Sequence, residues 1–147
     1  MVDGGPYSGN KAYADSKLCN ILFTRELARR LRASGAPTTV NAVGPGLVTR
    51  TALFRSQSPA FVSVFDFVAT TSGLAESVSG GGDCLVYMAT SPSLAGVSGA
   101  FYNNEIVPGK GHVLEEKQPS EEARDEGEGR KLWDVSAKLV GLPANVV

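Results

Sequence analysis

The fold turns on TTVNAVGPG, residues 38–46. Its β-branched residues run from Thr38 to Val43 and stop at a Gly-Pro-Gly turn, the pattern of a short buried strand that empties into a loop. Upstream, Asn10 to about Ala33 carries helical periodicity. Leu18, Ile21, Leu22, Leu27, Ala28 and Leu31 form a wide apolar stripe, and Arg25, Glu26, Arg29, Arg30 and Arg32 cluster elsewhere. Gly35 and Pro37 stop that helix. Helix, tight turn, strand and glycine-bounded loop make an α/β unit.

Downstream, residues 47–72 hold Leu53, Phe54, Phe61, Val62, Val64, Phe65, Phe67 and Val68, enough apolar surface for a short helix on the core or a flap over a pocket. Leu74 to Thr90 reads as another helix, interrupted by SGGGD at 79–83. Each glycine costs a helix roughly 1 kcal/mol against alanine, so the regular part is expected to start near Asp83. A phosphate-cradling loop at these glycines lacks its Gly-Lys-Ser/Thr and a preceding strand. VSGAFYNN (97–104) reads as a last short strand, and residues 105–130 as a charged, Gly/Pro-punctuated excursion. A final helix is expected from about Gly129 to Leu139, with Trp133 as its packing anchor.

With 147 residues and 42% hydrophobic composition, the chain suffices for one domain with a core, spanning residues 1–147. A net charge of −1 leaves no electrostatic footprint for nucleic acid or an anionic membrane surface. Cys19 and Cys84 lack metal-ligand spacing and His112 is the single histidine, so no metal site is expected and both thiols should be reduced and partly buried. No apolar run approaches the roughly 20 residues of a transmembrane helix, and no signal-peptide pattern opens the sequence. Only about a dozen loop-like residues, MVDGGPYSGNKA, precede the first strong pattern, as expected of a piece of a longer protein.

The chemistry lies in AYADSKLCN, residues 12–20. Residues i and i+4 lie one above the other on a helix, so Tyr13 and Lys17 can meet on one face. A nearby ammonium stabilises a phenolate and makes tyrosine a better proton relay at neutral pH. In an open α/β sheet, ligands bind outside the carboxyl ends of the strands, where Pro45 to Thr51 would fall. Backbone there could hold a carboxamide, and the hydroxyls of Thr49 or Thr51 could bond a cofactor amide or phosphate.

YADSK with the helix after it, VNAVGPGLV and GAFYNN together resemble the C-terminal half of the short-chain dehydrogenase/reductase family. The resemblance implies an α/β fold, the C-terminal part of a doubly wound parallel-sheet (Rossmann-type) domain. It also implies roles: Tyr13 as general acid or base, Lys17 on the nicotinamide ribose and tuning the tyrosine, and Pro45, Gly46 and Val48 against nicotinamide. Within the family, KAYADSKLCN, TALFR, SPSLAGVSGAFYN and RKLWDVSAKLVGL resemble the protochlorophyllide oxidoreductase branch, which uses NADPH and light to reduce a ring double bond. SKLCNILFTRELARRL equally resembles the retinol-dehydrogenase-like branch, which interconverts carbonyls and alcohols.

The expected substrate is therefore a small molecule, a tetrapyrrole or another apolar ring or polyene, with Cys19 and Leu47 on its side of the site. A homo-oligomer is compatible with the family, and the pigment branch would imply a chloroplast. Three departures stand out. Leu47 replaces the cysteine usual after Pro-Gly in the pigment branch. Arg50 occupies a position usually held by threonine or an acid, which leaves the carboxamide contact to Thr49 or Thr51. The glycine-rich nucleotide-binding half, with the catalytic serine or threonine and the asparagine upstream of the tyrosine, is missing. The chain by itself is therefore expected to be catalytically incompetent, and a redox-neutral pigment-binding module is the contrasting expectation.

Overall fold

In the computed structural model, which describes residues 6–55, 57–143 and 145, Ser8 starts helix α1 (Gly9–Ser34) by accepting a hydrogen bond from the Lys11 N–H. Helix therefore already covers 9–12 of the expected opening loop, whose residues 1–5 lie outside the described residues. Gly35 ends α1 at φ +71°, a left-handed conformation that glycine adopts without a Cβ penalty, and Ala36 N–H then bonds back to Leu31 O. Packing divides the chain into two compact units. The first is Met1–Ala42, Gly96–Phe101 and Gln118–Val147; the second is Val43–Ala95 and Tyr102–Lys117.

In the first unit, α4 (Glu121–Arg124) and α5 (Glu126–Leu139) pack on α1. Asp125 caps α5 by accepting from the Gly127 and Glu128 N–H groups. Gly129 brings α5 close, since a Cβ there would sit 3.7 Å from both Glu26 Cβ and Leu22 O. Trp133 is the expected anchor: it is buried, stacks on Phe23 at 5.5 Å between centroids, and carries the Arg30 guanidinium 4.4 Å above its ring.

Beneath that contact lies a charge. Glu26 is only 3% exposed, and its carboxylate accepts a fork from Arg29 (2.8 and 2.7 Å) and a third bond from Arg30 Nε (2.7 Å). The Arg29 fork holds its carboxyl below the usual value near 4.5, against the upward push of burial and with help from Arg30.

The strand expected over Thr38–Val43 is shorter and later. Regular pairing covers only β1 (Ala42–Gly44). The reason is Asn41, whose side chain takes over ladder bonds by donating to Val97 O (2.9 Å) and accepting from Ala100 N–H (3.0 Å). Gly99, at φ +85°, lets this crossing chain press against α1, because a Cβ there would stand 3.1 Å from Ala28 Cβ.

The second unit carries α2 (Pro59–Thr71), α3 (Val78–Thr90) and, from Tyr102 on, a hairpin of β2 (Phe101–Val107) and β3 (Gly111–Glu116). The strands form one sheet in the order β1-β2-β3, with β2 and β3 antiparallel. The charged excursion expected from residue 105 is thus corrected in part: 105–116 is hairpin. Alternating EIV and HVL flank a Pro-Gly-Lys turn in which Gly109 takes φ +78°. The final helix likewise begins at Glu126, three residues before Gly129, because Asp125 supplies the cap.

Helix α3 also differs from expectation, running unbroken through all three glycines from its Ser77 cap. Two of them are where the helix meets other atoms. A Cβ at Gly80 would collide with the Glu76 carboxylate, and one at Gly81 would lie 3.1 Å from Val48 Cγ2. The propensity penalty is accepted in exchange for close packing. The apolar stretch at 47–72 resolves into a 3-10 turn (Ala52–Phe54) and α2, with Phe65 against Phe54 and Phe61.

Trp133→Ala should destabilise the protein by about 3–5 kcal/mol, read as a lower urea midpoint, since it removes both the Phe23 stack and the Arg30 perch. Because the folded pKa of Glu26 is depressed, its contribution is full above about pH 4.5 and is lost as pH falls through the folded value. Glu26→Gln should therefore cost about 3 kcal/mol at pH 7 and progressively less in acid, measured by urea unfolding at pH 7 and pH 3.

Candidate active site

Tyr13, Lys17 and Cys19 all lie on α1 in the first unit. The i, i+4 pair does meet: Lys17 Nζ stands 5.2 Å from the centroid of the Tyr13 ring, within the range of a cation–π contact. The tyrosine is 49% exposed. Ser16 does not reach that hydroxyl; its Oγ donates to Tyr13 O at 2.7 Å. Cys19, half-buried, sits six residues beyond Tyr13 and so about 240° round the helix. Neither Cys19 nor Cys84 is in a disulfide, and burial pushes the Cys84 thiol upward, with Glu76 and Asp83 adding to the shift.

Pro45 to Thr51 belong to the second unit. Gly46 turns the loop at φ +87°, with no room for a side chain: a Cβ would stand 3.3 Å from Asn104 Nδ2 and 3.4 Å from Glu76 Cβ. Leu47 forms an isolated parallel bridge with Ala75, and its carbonyl accepts from Glu76 N–H at 2.8 Å. Val48 packs toward α3 at Gly81.

Both threonine hydroxyls have spent their single proton within the protein. Thr49, 3% exposed, donates to Asp66 Oδ1 at 2.5 Å, and Thr51 donates to Val48 O at 3.2 Å while capping the 3-10 turn. Each can only accept from a ligand. The Thr49 hydroxyl bond holds the Asp66 carboxyl below the usual carboxylate range despite some burial, and Arg50 Nε, 3.2 Å from Oδ2, adds to this. Arg50 is thereby a partner of α2.

Three residues to which the sequence assigns no site role, Asn104, Glu76 and His112, support the loop. Asn104 Nδ2 donates to Glu76 Oε2 at 2.9 Å and to Pro45 O at 3.3 Å. The other Glu76 oxygen accepts from Ser77 N–H (2.6 Å) and Ser77 Oγ (3.2 Å). His112 Nδ1 lies 3.4 Å from Glu76 Oε2. Burial pushes the Glu76 carboxyl up, but Asn104, the Ser77 N–H and His112 together hold it below its usual value. The signals were present: Asn104 is a buried polar residue inside a strand pattern, and Asp66 is the single charge in the apolar helix PAFVSVFDFVATT.

Among the described residues no three His, Cys, Asp or Glu side chains gather as a metal site, and no helix is long and apolar enough to cross a membrane.

No protein-family model matches the chain. Human retinol dehydrogenase 13 is 40% identical over 143 residues, 94% of this chain and 39% of that protein. The chloroplastic protochlorophyllide reductase of Daucus carota is 37% identical over 145 residues, 97% of this chain and 34% of that protein. The chain thus spans between a third and two-fifths of the length of these relatives. Among solved structures, an uncharacterised protein from Mycobacterium paratuberculosis superposes with a TM-score of 0.55 at 26% identity, over 96% of this chain and 42% of its own. Retinol dehydrogenases and protochlorophyllide reductases are both short-chain dehydrogenase/reductases, and this chain matches both kinds along nearly its whole length.

Proposed function

We propose that this chain supplies the proton-delivery helix and the nicotinamide-side loop of an NADPH-dependent oxidoreductase, as part of a single α/β domain. The observation that carries the reading is the Lys17 ammonium poised over the half-exposed Tyr13 ring. A phenol with an adjacent ammonium suits a ribose diol and a proton acceptor together, so the donor set fits a nicotinamide nucleotide. When bound, that cofactor supplies the hydride. Tyr13 gives its phenolic proton to the substrate atom left with the electron pair, and Lys17 binds the ribose hydroxyls and stabilises the resulting phenolate. Pro45, Gly46 and Val48 present backbone to the carboxamide. Thr49 and Thr51, whose protons are committed, serve there as acceptors for its NH2 group.

In this reading the substrate is a tetrapyrrole, the class of molecule for which the protochlorophyllide reductase relative is named. This reading assigns Leu47, in the second unit, to the substrate side, and it gives Cys19 the same role only if the substrate reaches past the Tyr13 face of α1. In the second unit, α2 leaves Phe61, Val64, Phe67 and Val68 more than half exposed, apolar surface suited to a tetrapyrrole or a polyene. The pigment reading places the protein in a plastid. A retinoid carbonyl is the second reading, favoured by the 40% identity to retinol dehydrogenase 13 and by Leu47 where the pigment branch carries cysteine.

Catalysis also needs a nucleotide-binding half that these 147 residues do not supply, so the chain by itself should bind NADPH more weakly than micromolar. Titration of NADPH against the isolated chain checks this, and micromolar affinity would overturn it. In the complete gene product, Tyr13→Phe should lower kcat by about 10²- to 10⁴-fold and leave NADPH affinity within about twofold. Unaltered turnover rules out the proton-donor role. Protochlorophyllide with NADPH in light and dark, assayed beside retinal, separates the two substrates: light-dependent turnover selects the pigment, and dark turnover of retinal selects the retinoid.

A further inference from the structure

The side chain of Glu76 is only 12% exposed, and its carboxylate has no part in the chemistry proposed above. A buried charge is costly unless its lone pairs are filled, and its replacement by an apolar residue of similar size is often neutral for stability. Fold stability alone therefore does not account for it. What the charge does locally is orient Asn104. The two protons of that amide go to two acceptors, Glu76 Oε2 and Pro45 O, and a flipped amide would set its oxygen against both.

The same residue grips the loop a second time through its backbone, whose N–H donates to Leu47 O beside the Leu47–Ala75 bridge. Space around it has been cleared on both sides. Gly46 lacks the Cβ that would press on Asn104 Nδ2 and Glu76 Cβ, and Gly80 lacks the one that would strike the carboxylate. The Pro45 and Leu47 carbonyls are thus held by one residue, directly or through one amide, while Gly46 between them is free to keep its left-handed turn.

We propose that Glu76 is the positioning residue of the Pro45–Val48 loop, acting through Asn104 to fix the direction of the Pro45 carbonyl and so the seat of the nicotinamide carboxamide. This rests on the reading of that loop as a cofactor contact. Glu76 itself touches no reacting atom.

The test uses the complete gene product with Glu76→Leu, Glu76→Gln and Asn104→Asp. Amide hydrogen exchange over residues 44–50 reads the loop without any cofactor, NADPH titration and steady-state kinetics read its seat, and thermal unfolding reads the fold. Glu76→Leu should speed exchange at 44–50 and raise the NADPH KM about tenfold, the loss expected of one charge-assisted hydrogen bond, with kcat within about twofold. Glu76→Gln keeps one acceptor and should show a smaller effect in the same direction. Asn104→Asp, which sets a carboxylate against Glu76 and the Pro45 carbonyl, should show the largest. Unchanged exchange at 44–50 in Glu76→Gln and Asn104→Asp overturns the proposal even if Glu76→Leu fails to fold, as does a lowered Tm with KM unmoved. Altered exchange in the variants, beside a wild-type protein that binds no NADPH, would leave the loop anchor standing and overturn the cofactor reading instead.

Discussion

The buried carboxylate of Glu26 is the constraint on which the first unit depends. A charge at 3% exposure survives only with its lone pairs filled, and Arg29 and Arg30 fill them. That requirement fixes where Arg30 points, and Arg30 in turn lies over Trp133, which also stacks on Phe23. One polar demand on α1 thereby selects how α5 docks, and the close approach at Gly129 follows from it. Tyr13 is thirteen residues back along the same helix, about 20 Å at the rise of an α-helix. A continuous 26-residue helix carries the position of its packed half to the exposed end that holds Tyr13.

The second unit solves a related problem with the opposite economy of side chains. Around Pro45 to Val48 the chain removes Cβ atoms at Gly46, Gly80 and Gly81 and places one buried acid, Glu76, in the space. Polar groups near the loop are paired within the protein: Thr49 with Asp66, Thr51 with Val48 O, Asn104 with Glu76 and Pro45 O. A loop so thoroughly bonded behind leaves its backbone as the surface it can offer. In the proposed function that backbone faces a planar amide, where direction matters more than charge.

Helix α1, the short strand after it, the stop at Gly35 and the meeting of Tyr13 with Lys17 were all legible in the sequence, because each depends on residues within a few positions of one another. The glycines of α3 were not. Intrinsic propensity argued for a break at 79–83, and the helix runs through because Glu76 and Val48 need the vacated space, a long-range fact that no local window contains. Strand β1 was overextended for a similar reason: β-branched residues announced a strand, but Asn41 bonds Val97 and Ala100 with its side chain, more than fifty residues away. The hairpin at 101–116 was read only halfway, since its charged outward residues masked the alternation around the Pro-Gly-Lys turn.

By itself the sequence determined an α/β unit, a Tyr-Lys pair one turn apart and a resemblance to the short-chain dehydrogenase/reductases, since helical periodicity, capping and motif spacing are written in near neighbours. Tertiary structure alone decided which hydroxyls and amides still have a hydrogen bond to give. Thr49 and Thr51 look equally available on paper, and each turns out to have spent its proton, on Asp66 and on the Val48 carbonyl. Glu76 looks like any surface acid, yet the groups it bonds lie about thirty residues away in sequence on either side, Asn104 through its carboxylate and Leu47 through its backbone. Hydrogen-bond capacity is finite, and where it is used up depends on which distant groups the fold brings within three ångströms.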